Sequence, residues 1–157
     1  MSLLIASKIP LGPGKPPAPV MTRAARRAGT AAVEFAFVAP VMIVLVLGSI
    51  EFGRALMSLE LLNNAARTGC RRGVISGSST SDITTAVNAA LANAGLPSTK
   101  ITTSVLVNGN KADASTAVRG DVLTVSLTVP YTSVSWIPAP LFLGSANLQG
   151  DVVMRRE

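Results

Sequence analysis

The chain has 157 residues, 48% hydrophobic and 14% charged, with 14 Lys plus Arg, 8 Asp plus Glu, no His and one Cys. That length supports one modest core, and the composition is too apolar for a disordered tail. Without His the commonest general base and a leading metal ligand are gone, and a lone Cys makes neither an internal disulfide framework nor a Cys-based zinc site. No catalytic residue, metal site or cofactor is therefore expected, and a membrane-linked structural protein is favoured over an enzyme.

The net charge of +6 would suit nucleic acid, but its distribution does not. Lys8, Lys15, Arg23, Arg26 and Arg27 fall in the first 29 residues, which hold no acid, while the other 128 carry nine basic and eight acidic side chains. A short basic patch just before an apolar run is the cytoplasmic flank of a membrane helix, so no nucleic-acid partner is expected. Within that flank, residues 1–20 carry Pro10, Pro13, Pro16, Pro17 and Pro19, a density through which no helix or sheet runs. Met21 is a candidate start, with residues 1–20 an upstream extension.

From Thr30 to Ile50 the only charge is Glu34. As a helix these residues span about 31 Å, enough to cross a hydrocarbon core. Pro40 lies inside and marks a kink that neighbours in a membrane can satisfy. Gly48 and Gly53 are small positions where another helix could approach. The helical pattern continues, with Glu60, Asn64, Arg67 and Arg71 on one face and Ala55, Leu59, Leu62 and Ala66 opposite. Gly69 and Gly73 mark its end. Ser81 is expected to cap a second helix, with Asp82 in its first turn and Ile83, Val87 and Leu91 on one side, ending at Gly95 and Pro97.

Thereafter the period changes to two. Ile101, Thr103, Val105 and Val107 read as one strand ending at the Asn108-Gly109 turn signal. Leu123, Val125, Leu127 and Val129 form the apolar face of a second, and Leu148, Val152 and Met154 that of a third over 146–154. Together they predict a small antiparallel sheet with one face covered by helices. The apolar loop Ser135–Leu143 holds the only Trp; a plug over the sheet edge is the favoured reading, and a contact surface for a partner the alternative. Cys70 has Arg67, Arg71 and Arg72 nearby, which would lower its pKa. A disulfide between molecules is the more plausible role, since no His can act as its base. There is no phosphate loop and no EF-hand spacing.

The most informative arrangement precedes the apolar run: Arg26-Arg27-Ala28-Gly29, then Thr30-Ala31-Ala32-Val33-Glu34-Phe35. It resembles a type IV prepilin processing site, where a membrane peptidase cuts after the Gly. With Pro40, the block Glu51-Phe52-Gly53-Arg54-Ala55, then Asn64-Ala65-Ala66-Arg67-x-Gly69, Gly120-Asp121, the Pro-rich loop at 138–140 and Met154-Arg155-Arg156-Glu157, the chain resembles a TadE-like minor pseudopilin of the tight-adherence (Tad, type IVc pilus) system. It departs from that pattern in the length of the segment before Gly29 and in Cys70, where a small inert residue is more usual.

The resemblance implies a pilin-like α+β fold: a long transmembrane helix continuing into an amphipathic stem, packed on a small antiparallel head. It implies a leader over 1–29, removed by cleavage between Gly29 and Thr30, a transmembrane helix over 30–52, a stem over 53–73 and an extracytoplasmic head over 74–157. Glu34 and Phe35 would belong to the processing and assembly motif, Pro40 to the helix kink, and Glu51, Phe52, Gly53 and Arg54 to the helix continuation. The implied partners are a prepilin peptidase, other pilins and pseudopilins, the inner-membrane assembly platform and the lipid bilayer. The implied setting is the bacterial inner membrane, with the N-terminus cytoplasmic and the head periplasmic or carried into an extracellular pilus. Cleavage would create an amine on Thr30 that could pair with Glu34 of a neighbouring subunit and set the register of assembly. Two rivals stay open: an uncleaved membrane-anchored assembly factor, and a single-pass sensor whose head binds a ligand.

Overall fold

A computed structural model describes Gly14 and residues 23–157, with side chains from Gly29 onward. The readings made on residues 1–13 and 15–22, Met21 among them, lie outside the described residues, as do the side chains of Arg23, Arg26 and Arg27. The chain divides into two units, Met1–Val41 and Met42–Glu157.

Helix α1 (Arg23–Gly73) begins in the first unit and contains Pro40 within its length. From Gly29 to Val38 every side-chain position of that unit is exposed, Phe35 and Phe37 among the most exposed. These residues form a helix with no core of their own.

The second unit is an α+β domain in which the remainder of α1 lies against a sheet and a second helix. Gly48, Glu51, Ala55, Ser58, Leu62, Ala65, Ala66, Gly69, Cys70 and Gly73 are buried. Their spacing of three and four residues draws one stripe down the helix. The expected polar face is exposed at Glu60, Asn64, Arg67 and Arg71, whereas Leu59 is only half-buried because the stripe turns toward Ser58 and Ala65. The stripe is narrow because its residues are small. A Cβ on Gly69 would overlap Val87, and one on Gly73 would come within 2.7 Å of Ile83 Cδ1.

Helix α2 (Thr80–Asn93) buries Ile83, Val87 and Leu91 as the sequence spacing predicts. Its cap is Ser79, not Ser81. Ser79 Oγ accepts from the Asp82 N–H at 3.3 Å, while Asp82 Oδ2 accepts from the Ser79 N–H at 3.0 Å. The acid three residues after the cap closes this reciprocal box, and Ser81 has no such partner.

The sheet is antiparallel in the order β1 (Thr102–Val107), β2 (Val122–Pro130), β3 (Asn147–Arg155). Val105 faces Val125, which faces Val152. Leu123, Val125, Leu127 and Val129 are all buried, so the period-two reading of β2 holds along its length. On β3, Gly150 falls on the covered face between Leu148 and Val152. A Cβ there would stand 3.0 Å from Leu62 Cβ, so this glycine lets α1 approach the sheet. Asn108 and Gly109 both have positive φ, 51° and 80°, as a tight two-residue turn requires. The chain then detours through a 3-10 turn at Ala114–Thr116 before entering β2.

Candidate functional site

In the first unit, Gly29, Thr30, Glu34 and Phe35 all lie on α1 and are exposed. A Cβ on Gly29 would meet no described atom within 4 Å, so packing does not require a glycine there. Pro40 is likewise exposed.

In the second unit, the block Glu51-Phe52-Gly53-Arg54 grips the segment from Tyr131 to Phe142, a juxtaposition across 80 to 91 residues of sequence. Glu51 is 1% exposed, and its Oε2 accepts from the Phe142 N–H at 3.0 Å. The Tyr131 hydroxyl donates to the Glu51 carbonyl at 3.0 Å. Arg54 Nε donates to the Val134 carbonyl at 2.9 Å, and its guanidinium lies 4.7 Å from the centre of the Trp136 ring. Phe52 stacks on Phe142 with centroids 6.4 Å apart. One turn earlier, a Cβ on Gly48 would reach 3.0 Å from Phe142 Cε2. Gly48 therefore serves this loop rather than another helix, whereas a Cβ on Gly53 meets nothing within 4 Å.

The loop does not plug the sheet edge as the sequence suggested. Trp136 is 73% exposed, Leu141 57% and Phe142 53%. The physical reason is that Tyr131 and Val134, both buried, already complete the core at the end of β2, leaving the Pro-interrupted residues beyond them to lie along α1. Sequence reasoning singled out the helix block and the loop separately. It missed that one holds the other, because a contact between segments so far apart leaves no periodicity in either. Among the described residues, Glu51 Oε1 and Ser58 Oγ are buried polar atoms without a hydrogen-bond partner.

Cys70 departs from the expected reactive thiol. It is fully buried, its Sγ donates to the Val152 carbonyl at 3.2 Å, and burial pushes the thiol up to about 11. The arginines that flank it in sequence point elsewhere: Arg67, Arg71 and Arg72 are exposed. A disulfide to another molecule cannot form without opening the core.

The class this architecture defines is an α+β domain on a long apolar helix whose exposed N-terminal part is long and apolar enough to cross a membrane. Residues 29–71 match the family model TadE, described as TadE-like protein. Over that segment the chain is similar to the TadE-like family that the sequence motifs resemble, and the matched residues include both Gly29-Thr30 with Glu34-Phe35 and the Glu51–Arg54 block. No curated protein and no solved structure matches the chain.

Proposed function

We propose that this protein is a single-pass pseudopilin, a minor structural or assembly subunit of a Tad-type pilus serving adhesion or secretion. A prepilin peptidase would trim it after Gly29. The observation that carries the reading is that the TadE-like segment coincides with a helix whose first part is apolar and uncovered. The core helix of a soluble protein would be mostly buried, yet only 6% of the most apolar window is. A removable signal sequence would end before the folded domain, yet the same helix supplies Ala55, Leu62 and Ala66 to the core. Lipid, and later neighbouring subunits, are the surfaces that suit it.

The processing site also has a local rationale. Gly29 sits in a helix, where it costs about 1 kcal/mol relative to Ala, and packing does not demand it. A peptidase must unwind the helix at the bond it cuts, and glycine eases that. Five residues on, Glu34 is exposed within the apolar segment, where a carboxylate costs about 2–3 kcal/mol toward the membrane centre and less near the edge. A neighbour's new N-terminal amine would offset that cost and fix the register.

N-terminal sequencing of the membrane-extracted protein tests this directly. Thr30 as the first residue supports it. An intact Arg26-Arg27 leader supports the uncleaved assembly factor instead. Gly29→Leu should leave an unprocessed band, and Glu34→Ala should keep membrane insertion while impairing assembly. Normal surface structures from the Glu34 variant would argue against the register role.

A further inference from the structure

We propose that the loop Ser135–Leu143 is a membrane-interface foot, whose exposed Trp136, Leu141 and Phe142 rest in the boundary between lipid headgroups and acyl chains. The proposal rests on the reading of α1 as a bilayer-spanning helix. The loop is fastened to α1 at residues 48 to 54, where the uncharged run 35–50 gives way to Glu51 and Arg54. A helix that spans lipid with that run must put this turn at the water boundary, and the loop goes with it.

The apolar surface is also continuous. Phe142 and Phe52 form, with Val44, Leu45, Gly48 and Ser49, a groove along the helix, in which the Ser49 hydroxyl donates back to the Leu45 carbonyl at 2.9 Å, so the loop extends a mainly apolar lipid-facing surface. Trp and Phe favour this depth because their rings are apolar and, for Trp, one edge is polar. The charges fit it too. Glu51 would otherwise present a carboxylate to the membrane edge, but the loop covers it and the Phe142 N–H donates to it. Arg54, stacked on Trp136, sits where a lipid phosphate can take its remaining donors. The loop thus sets how deep the helix rides and hides the acid that would resist insertion.

The single Trp makes the test clean. The full chain is reconstituted into phosphatidylcholine–phosphatidylglycerol vesicles at low protein-to-lipid ratio, and flotation reports anchoring independently of the loop. The expected result is that Trp136 emission shifts to the blue, that iodide quenching falls several-fold relative to free tryptophan, and that lipids brominated near the headgroup quench more than lipids brominated deep in the chain. Glu51→Ala should free the loop and restore much of the iodide quenching while flotation persists. Vesicles that float with Trp136 still fully open to iodide would overturn the foot and leave the anchor standing. Shielding that appears only as the protein-to-lipid ratio is raised would assign the loop to a second protein and overturn it too. Failure to float would bring down the anchor reading itself.

Discussion

Arg156 is the residue on which the C-terminal end of the domain closes. Its guanidinium is buried and donates to three carbonyls: Ala114 at 2.6 Å, Ala117 at 3.0 Å and Ile75 at 2.9 Å. One side chain thereby ties the 3-10 turn, the segment after α1 and the end of β3 together. Arg156→Ala would leave the Ala117 carbonyl unpaired and strip the charged donor from those of Ala114 and Ile75, which keep only the Ala117 and Ser78 N–H groups, at a cost of about 2–4 kcal/mol. Arg156→Lys should recover only part, because an ammonium lacks the planar fork. Chemical unfolding of the detergent-solubilised protein measures both; a loss below about 0.5 kcal/mol for the Ala variant would mean the carbonyls find other partners. Cys70 offers a second test at this scale. With its thiol buried and pushed up to about 11, a maleimide at pH 8 should label it only after denaturant opens the core. Rapid labelling of the folded protein would contradict the packing around it.

Among the elements, α1 carries two kinds of glycine, and they should respond oppositely to substitution. Gly69→Ala forces a Cβ into Val87 against Ile83, an overpacking that should cost about 1–3 kcal/mol. Gly53→Ala meets open space in a helix and should stabilise by about 0.5–1 kcal/mol. Unfolding midpoints of the two variants should move in opposite directions from the parent; equal shifts would show that the helix, not its contacts, sets the response. The same contrast explains what was legible in the sequence. Gly69 and Gly73 read as a helix stop because Gly is a breaker, yet Gly69 lies inside α1 as a packing surface and only Gly73 ends it. The period-two alternation of β2 and the i, i+4 spacing of Ile83, Val87 and Leu91 were readable because each depends on one element alone. Ser79 displaced Ser81 as the cap because the deciding partner was Asp82. The Glu51–Phe142 and Arg54–Trp136 contacts, and the three-way role of Arg156, were not readable, since they exist only once distant segments fold together.

Across the whole molecule, an uncharged run of α1, residues 35–50, contrasts with a domain pinned at its turns by three aspartates. The Asp82 carboxylate is held below its ordinary value by the Ser79 backbone and hydroxyl donors, with Arg72 contributing less. Asp113 is lowered by Ser115, and Asp121 by the Asn108 side chain and the Val118 N–H. Because each is lowered in the folded state, the stability it supplies is full above its unfolded value near 4 and is lost as pH falls through the lower folded value. The sign is therefore a loss of domain stability in acid. The melting temperature of the vesicle-bound protein should stay level from pH 7 to about 5 and fall below about 4. Asp121→Asn should flatten part of that fall, because it no longer takes up a proton on unfolding, while lowering stability at pH 7. Flotation should not change over the same range, since burial of the uncharged run 35–50 in lipid involves no titration. An acid transition that left the domain's melting unchanged would contradict this account, because the three aspartates would then not supply the pH dependence.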